Sequence, residues 1–321
     1  MNDHPIGRRT FLTAAGAAAL AASGLDAAQA QQAVPNSTGT EPAKLKAPPN
    51  AADCHMHIYD PRFAETNPRP GLNPKNATVA DYRLLQKRTG TTRVVVVTPR
   101  NYATDNRVTI DALAQLGANG RGVAVVHPTV TDAELKGLND GGIRGIRFSL
   151  GGPNAVVTWE MVEPLAKRIA DLGWHIQFNI DGEQIVEHAE LFRRLPTQMV
   201  FDHMGHPTLP AGPDHASFAI VRGLIDRGRT WVKLSGAYDN TKIGPPDYPD
   251  ATKIAQAFVK AAPQRLVWGS DWPHPSMQER PPLPNDALLF DLLGVWAGDD
   301  ATRRRILVEN PENLYGFAKT A

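Results

Sequence analysis

Apolar residues along the chain alternate between two patterns. Short runs rich in β-branched and aromatic residues recur near 52–58, 93–98, 122–127, 142–148, 174–180, 199–203, 230–235 and 265–271. Runs of this length and composition predict buried strands. Between them, apolar residues return at helical spacing, as in 79–88, 109–116, 158–172 and 250–261. Strands alternating with amphipathic helices pack as βα units around a parallel sheet covered on both faces. Eight such units predict one α/β domain that closes into a (β/α)8, or TIM, barrel. A doubly wound open sheet competes with this reading, but it would normally carry a glycine-rich phosphate turn after an early strand. The first strand instead runs into His57-Ile-Tyr-Asp-Pro-Arg62.

The N-terminus stands apart from this pattern. Gly7-Arg8-Arg9-Thr10-Phe11-Leu12 places a twin arginine before an Ala/Leu stretch, and Ala28-Gln29-Ala30 offers a small-residue cleavage site. Residues 1–30 therefore read as a Tat-type export signal, with the Tat machinery as partner of the precursor and a soluble, periplasmic product. The apolar stretch is too short and alanine-rich to span a bilayer comfortably, and no later segment resembles a transmembrane helix. Residues 31–49, rich in Gln, Pro, Thr and Lys, read as a flexible tether. That leaves 50–321 for the barrel. The single cysteine, Cys54, forbids an intramolecular disulfide. It is expected to pack on the outward face of the first strand. With 34 basic and 33 acidic residues the formal net charge is +1, which argues against nucleic acid or a membrane surface as partner.

Candidate chemistry gathers where a barrel keeps it, at the C-terminal ends of the strands. In Ala52-Asp-Cys-His-Met-His-Ile58, strand alternation puts Asp53, His55 and His57 on one face and Cys54 and Met56 on the other. Two imidazoles so placed can converge on a metal ion or an anionic transition state. The later strand ends add Arg100, His127, Arg147, Gln177, Asn179, His203, Ser235, Tyr238 and Asp271. A purely structural barrel has no physical reason to collect such groups there. The plainer alternatives are a buried ion pair or cap for Asp271, a solvated loop cation for Arg100, and a strand cap before Pro128 for His127.

The ordered motifs Asp53-Cys-His-Met-His-Ile-Tyr-Asp-Pro61, Phe201-Asp-His-Met-Gly205, Val232-Lys-Leu-Ser235, Trp268-Gly-Ser-Asp-Trp-Pro273 and Val308-Glu-Asn-Pro-Glu-Asn-Leu-Tyr-Gly316 resemble the amidohydrolase superfamily. More narrowly, they resemble its branch of pyrone-dicarboxylate and sulfomuconolactone hydrolases and galactarolactone isomerases. The resemblance implies a distorted TIM barrel acting on lactones of small polyacids. It matches His55 and His57 to the first-strand pair, His203 to the sixth-strand histidine and Asp271 to the eighth-strand aspartate. Metal-dependent members usually carry a histidine or a carboxylated lysine on strand five, where this chain offers Gln177 or Asn179, both poor ligands for a Zn²⁺-class ion. The resemblance to this lactonase branch, parts of which work without metal, implies a site that requires no cofactor. One divalent metal such as Zn²⁺ on His55, His57 and Asp271 remains the alternative.

Lactone hydrolysis needs a base for water and donors for the oxyanion. Asp271 is read as the base, and His55, His57 and His203 as donors. Arg147, with Arg100, would hold anionic substrate groups, while Tyr59 and Tyr238 would wall the pocket. The expected enzyme opens a small, multiply anionic lactone in aromatic or sugar-acid breakdown. An aldaric-lactone isomerase and a non-catalytic periplasmic binding barrel are the competing functions.

Overall fold

A computed structural model describes residues 1, 32–68, 74–150 and 155–320. The expected export signal therefore lies outside the described residues, Met1 apart. Eight parallel strands follow one another around a nearly closed barrel. They are β1 (Ala52–Met56), β2 (Arg93–Val97), β3 (Gly120–Ala124), β4 (Ile143–Ser149), β5 (His175–Asn179), β6 (Gln198–Phe201), β7 (Thr230–Leu234) and β8 (Leu266–Trp268). One seam, between β8 and β1, is spanned by a bridge from Met56 to Trp272. The helices that cover the strands include α1 (Val79–Thr89), α2 (Arg107–Leu116), α3 (Asp132–Asp140), α4 (Val162–Ile169), α5 (Gly182–Glu187), α6 (Ala189–Arg194), α7 (Ala216–Asp226), α8 (Pro249–Ala261) and α9 (Asp286–Trp296). Reciprocal caps start three of them, pairing Thr78 with Asp81, Thr131 with Glu134 and Asp181 with Gln184. No helix among the described residues is long and apolar enough to cross a membrane.

The core has two layers. Val94, Val96, Ile146, Phe148, Ile176, Phe178, Phe201 and Trp268 face the helices. Cys54, Val95, Val97, Val123, Val200, Trp231 and Val267 fill the barrel interior, which Tyr315 and Phe317 close at the strands' N-terminal end. Above this apolar floor the interior turns polar, and the site is built there.

Strand β1 departs from simple alternation. Asp53 pairs with Val94 and Met56 with Val96, so three steps on β1 oppose two on β2. This bulge turns both Cys54 and His55 inward and leaves Asp53 on the outer side. The expected shared face of Asp53, His55 and His57 is corrected accordingly. Asp53 accepts hydrogen bonds from Tyr82 Oη at 3.0 Å and Ser270 Oγ at 2.6 Å, and so ties β1 to α1 and to the end of β8. Cys54 is likewise an interior residue, not an outward one.

The expected tether is also corrected, because residues 32–49 lie along the barrel. Val34 and Ala43 are buried. The Thr38 N–H donates to Pro284 O at 2.9 Å, Ala43 N–H to Arg88 O at 3.1 Å, and the Trp272 indole to Pro35 O at 2.7 Å. Arg88, itself buried, donates to Glu41 O at 2.8 Å. These contacts satisfy a backbone whose polar composition alone suggested a solvated linker.

Candidate active site

Three atoms form a near-equilateral triangle at the top of the barrel. His55 Nε2 lies 3.2 Å from His57 Nε2 and 3.4 Å from Asp271 Oδ1, and His57 Nε2 lies 3.3 Å from the same oxygen. His203 Nε2 stands 3.8 Å from Asp271 Oδ1. Two glycines make the approach possible: a Cβ on Gly269 would fall 2.6 Å from His55 Cβ, and one on Gly236 would fall 2.7 Å from His203 Nδ1. Gly236 also has a φ of +60°, which a side chain would resist.

Hydrogen-bond partners assign the ring protons. His57 Nδ1 donates to Val97 O at 2.8 Å, so the neutral ring presents a lone pair at Nε2. Burial pushes the pKa of His57 down, against the opposing pull of the Asp271 carboxylate, and a neutral ring follows. His57 is therefore a second acceptor beside Asp271, not the oxyanion donor that the sequence suggested. Burial alone would raise the Asp271 carboxyl, but the His203 imidazole beside it outweighs that and holds it well below the usual carboxylate range. His203 Nδ1 is 2.9 Å from Ser235 Oγ, which turns Nε2 towards Asp271 and the cavity.

Beneath the triangle lies a layer of buried charge, of which sequence reasoning left Asp202 and Lys233 without a role. Asp202 accepts from Arg147 Nε at 3.2 Å and Gln177 Nε2 at 3.0 Å, while its other oxygen is 3.5 Å from Lys233 Nζ and 3.2 Å from His55 Nδ1. Lys233 Nζ donates to Gln177 Oε1 at 2.6 Å and also stands 3.2 Å from His55 Nδ1. Burial pushes Lys233 down, and the Asp202 carboxylate opposes that shift. Burial would raise Asp202, but His55 and Lys233 outweigh it and keep the carboxylate ionised. A lysine in the middle of the apolar run Thr230-Trp-Val-Lys-Leu234 was the available signal, since unpaired lysines are almost never fully buried.

The site opens into a cavity of about 510 Å³. His57, Tyr59, Arg100, Arg147, Asn179 and His203 line it, together with Asp271. His206 and Asp239, which sequence reasoning did not single out, also contribute to its wall. Burial holds His206 down at about 3. Asp239 is raised by its own burial and accepts from Ser276 Oγ at 3.0 Å and Arg280 Nη2 at 3.2 Å. Tyr238 is placed differently from its expected wall position. It is buried behind Asp271 and donates to Oδ2 at 2.6 Å. His127 bonds Val156 O at 2.7 Å and lines a separate groove between α2 and α3.

The amidohydrolase family model matches residues 52–317, nearly the whole barrel. The chain belongs to this family. It is 34% identical over 286 residues to a 2-pyrone-4,6-dicarboxylate hydrolase of Comamonas testosteroni, covering 85% of this chain and 92% of that protein. It is 31% identical to the D-galactarolactone isomerase of Agrobacterium fabrum, covering 84% of this chain and 91% of that protein. Among solved structures, a probable 2-pyrone-4,6-dicarboxylic acid hydrolase from Acinetobacter baumannii with citric acid bound superposes with a TM-score of 0.71 at 25% identity, covering 84% of this chain and all of that one.

The triangle has the spacing of a metal site. A tetrahedral Zn²⁺ about 2.0–2.1 Å from each ligand would set those ligands about 3.3–3.4 Å apart. His55, His57 and Asp271 meet that spacing and would hold the ion, while His55, Asp202 and His203 form a second candidate group. Strand five adds no ligand, because Gln177 is engaged by Lys233 and Asp202.

Proposed function

We propose that this protein is a lactone hydrolase for a small lactone with carboxylate or comparable anionic groups, as in aromatic or sugar-acid breakdown. The observation that carries the reading is the placement of ionised Asp271 and acceptor His57 at a cavity floor whose wall holds Arg147 and Arg100. A water between Asp271 Oδ1 and His57 Nε2 would give its proton to the carboxylate as its oxygen attacks the ring carbonyl. The oxyanion would be met by His203 Nε2 and the Arg147 guanidinium, both at the cavity wall. Collapse breaks the ring C–O bond, and the departing alkoxide recovers the proton from Asp271, leaving a hydroxy acid.

In this reading the protein's own groups suffice. Support comes from the occupied Gln177 and from two cations, Lys233 and Arg147, already fixed around Asp202. An ion on His55, His57 and Asp271 would instead supply an activated water and polarise the carbonyl. The test is hydrolysis of a lactone panel before and after chelation, with Asp271→Asn beside the wild type. Asp271→Asn should lose the roughly 10²–10⁴-fold of general-base catalysis while still binding the lactone. Full activity of that variant sinks the mechanism. Complete, Zn²⁺-reversible loss on chelation sinks only the metal-independent form. An isomerase on the same site is the second reading, favoured by the galactarolactone relative, and would show as a rearranged lactone without water uptake.

The location reading is Tat export to the periplasm, supported by Arg8-Arg9 and Ala28-Gln29-Ala30. Replacing both arginines by lysine should block it, and unaffected export would overturn it.

A further inference from the structure

Behind Asp271, on the side away from the cavity, a line of three side chains runs to the first turn of α9. The chemistry above makes no use of it. Tyr238 Oη donates to Asp271 Oδ2 at 2.6 Å, His274 Nδ1 stands 3.0 Å from the same Oη, and His274 Nε2 stands 3.1 Å from Asp286 Oδ2. His274 and Asp286 are wholly buried. None of the three is among the described residues lining the cavity.

The protons in this line have one consistent direction. An ionised Asp271 only accepts, so the single phenol proton of Tyr238 points to it. The Tyr238 oxygen is then left to accept, which puts a proton on His274 Nδ1. The second imidazole nitrogen faces Asp286 and shares a proton with that carboxylate. The arrangement parallels that of a buried aspartate holding a catalytic imidazole in one tautomer and orientation.

We propose that Asp286, His274 and Tyr238 form a positioning relay for Asp271, committing Oδ2 to the phenol so that Oδ1 alone faces His57 and the cavity. The backbone explains why such a device is needed. Asp271 and His274 both sit at φ +59°, in the sparsely populated left-handed region, within a turn closed by a 2.7 Å bond from His274 N–H to Asp271 O. The main chain there is held to β1 by the 2.8 Å bond from Asp271 N–H to His55 O, which leaves the rotation of the carboxylate to be fixed by its side-chain partners. Asp286 opens α9, where the helix N-terminus favours a carboxylate, so the relay is anchored on a rigid element.

The proposal rests on Asp271 as base, and its test separates the two ideas. On a lactone that the wild type hydrolyses, Tyr238→Phe should lower kcat about 10–100-fold with KM nearly unchanged, as for outer groups that orient a reacting one. His274→Ala should do the same in the wild type yet add little in the Tyr238→Phe background. His274→Asn, whose amide N–H falls near the imidazole Nδ1, should recover much of the loss. Asp286→Asn, nearly isosteric, covers the case in which His274→Ala fails to fold. Independent, multiplicative losses, or losses carried by KM, overturn the relay. A readout without turnover completes the test. Exchange-protected imidazole N–H signals of His274 in proton NMR should be present in the wild type, and Tyr238→Phe should remove the Nδ1–H signal. If those signals are absent, the relay fails; if they are present but no lactone is turned over, only the functional reading fails.

Discussion

Replacing Lys233 by Met tests the buried charge layer directly. The ammonium sits 3.5 Å from Asp202 Oδ1 with no exposed surface on either side chain. At an effective dielectric constant of about 20, a pair at that distance attracts by about 5 kcal/mol. Part of this is offset because Met no longer has to be desolvated as a cation, and Arg147 still faces Asp202 from the other oxygen. Breaking one side of a buried pair typically costs about 3–5 kcal/mol. The lower end, about 3 kcal/mol, is expected here, since Met keeps most of the stem volume. Urea unfolding followed by two probes gives the value, coincident transitions licensing two-state treatment. The pair Lys233→Met with Asp202→Asn should cost less than the sum of the two single variants, because the contact between these groups is lost only once, while Arg147 loses its carboxylate partner in both Asp202 variants. A single-variant cost below about 1 kcal/mol, or a double-variant cost equal to the sum of the singles, refutes the argument.

Other perturbations bear on recognition and on the base. Arg147→Ala should cost about 2–5 kcal/mol in kcat/KM, and more for dianionic than for monoanionic lactones; equal losses would make Arg147 a purely structural partner of Asp202. Asp239 places a carboxylate on the cavity wall, so Asp239→Asn should raise kcat/KM for lactones bearing a second carboxylate relative to hydroxylated ones. An unchanged ratio would remove Asp239 from recognition. Because the His203 imidazole holds Asp271 below the ordinary value of about 3.9, the base stays ionised as pH falls, and the ascending limb of kcat/KM should lie under that value. A limb near pH 6 would assign the base to another group.

The barrel was legible because its signal is regional. Each strand is a short apolar run, and the observed elements fall within a few residues of the expected ones, as for Val79–Thr89 against 79–88. Site residues at strand ends were legible for the same reason, since topology puts those ends together. Three features were not legible. The β1 bulge depends on pairing with β2, and nothing in Asp53-Cys-His-Met56 itself announces the extra step. The strap at 32–49 is polar in composition, and its partners lie far along the chain, at Arg88, Trp272 and Pro284. Tyr238, His274 and Asp286 come from separate stretches, and their line-up appears only once the loops after β7 and β8 are folded side by side.

The inward turn of Cys54 gives the molecule a built-in reporter. The only thiol in the chain lies inside the barrel among Val95, Val123, Val200 and Val267, and burial pushes its pKa well up. A thiol reagent reaches it only when the strands part or when the C-terminal segment carrying Tyr315 and Phe317 lifts from the lower end, because the thiolate is the reactive form and the closed interior suppresses it. Fraying of the strap at 32–49 or of the loops around the site leaves Cys54 covered. Its labelling rate therefore tracks loss of that lower plug or opening of the staves, events deep in the hierarchy of local and global unfolding.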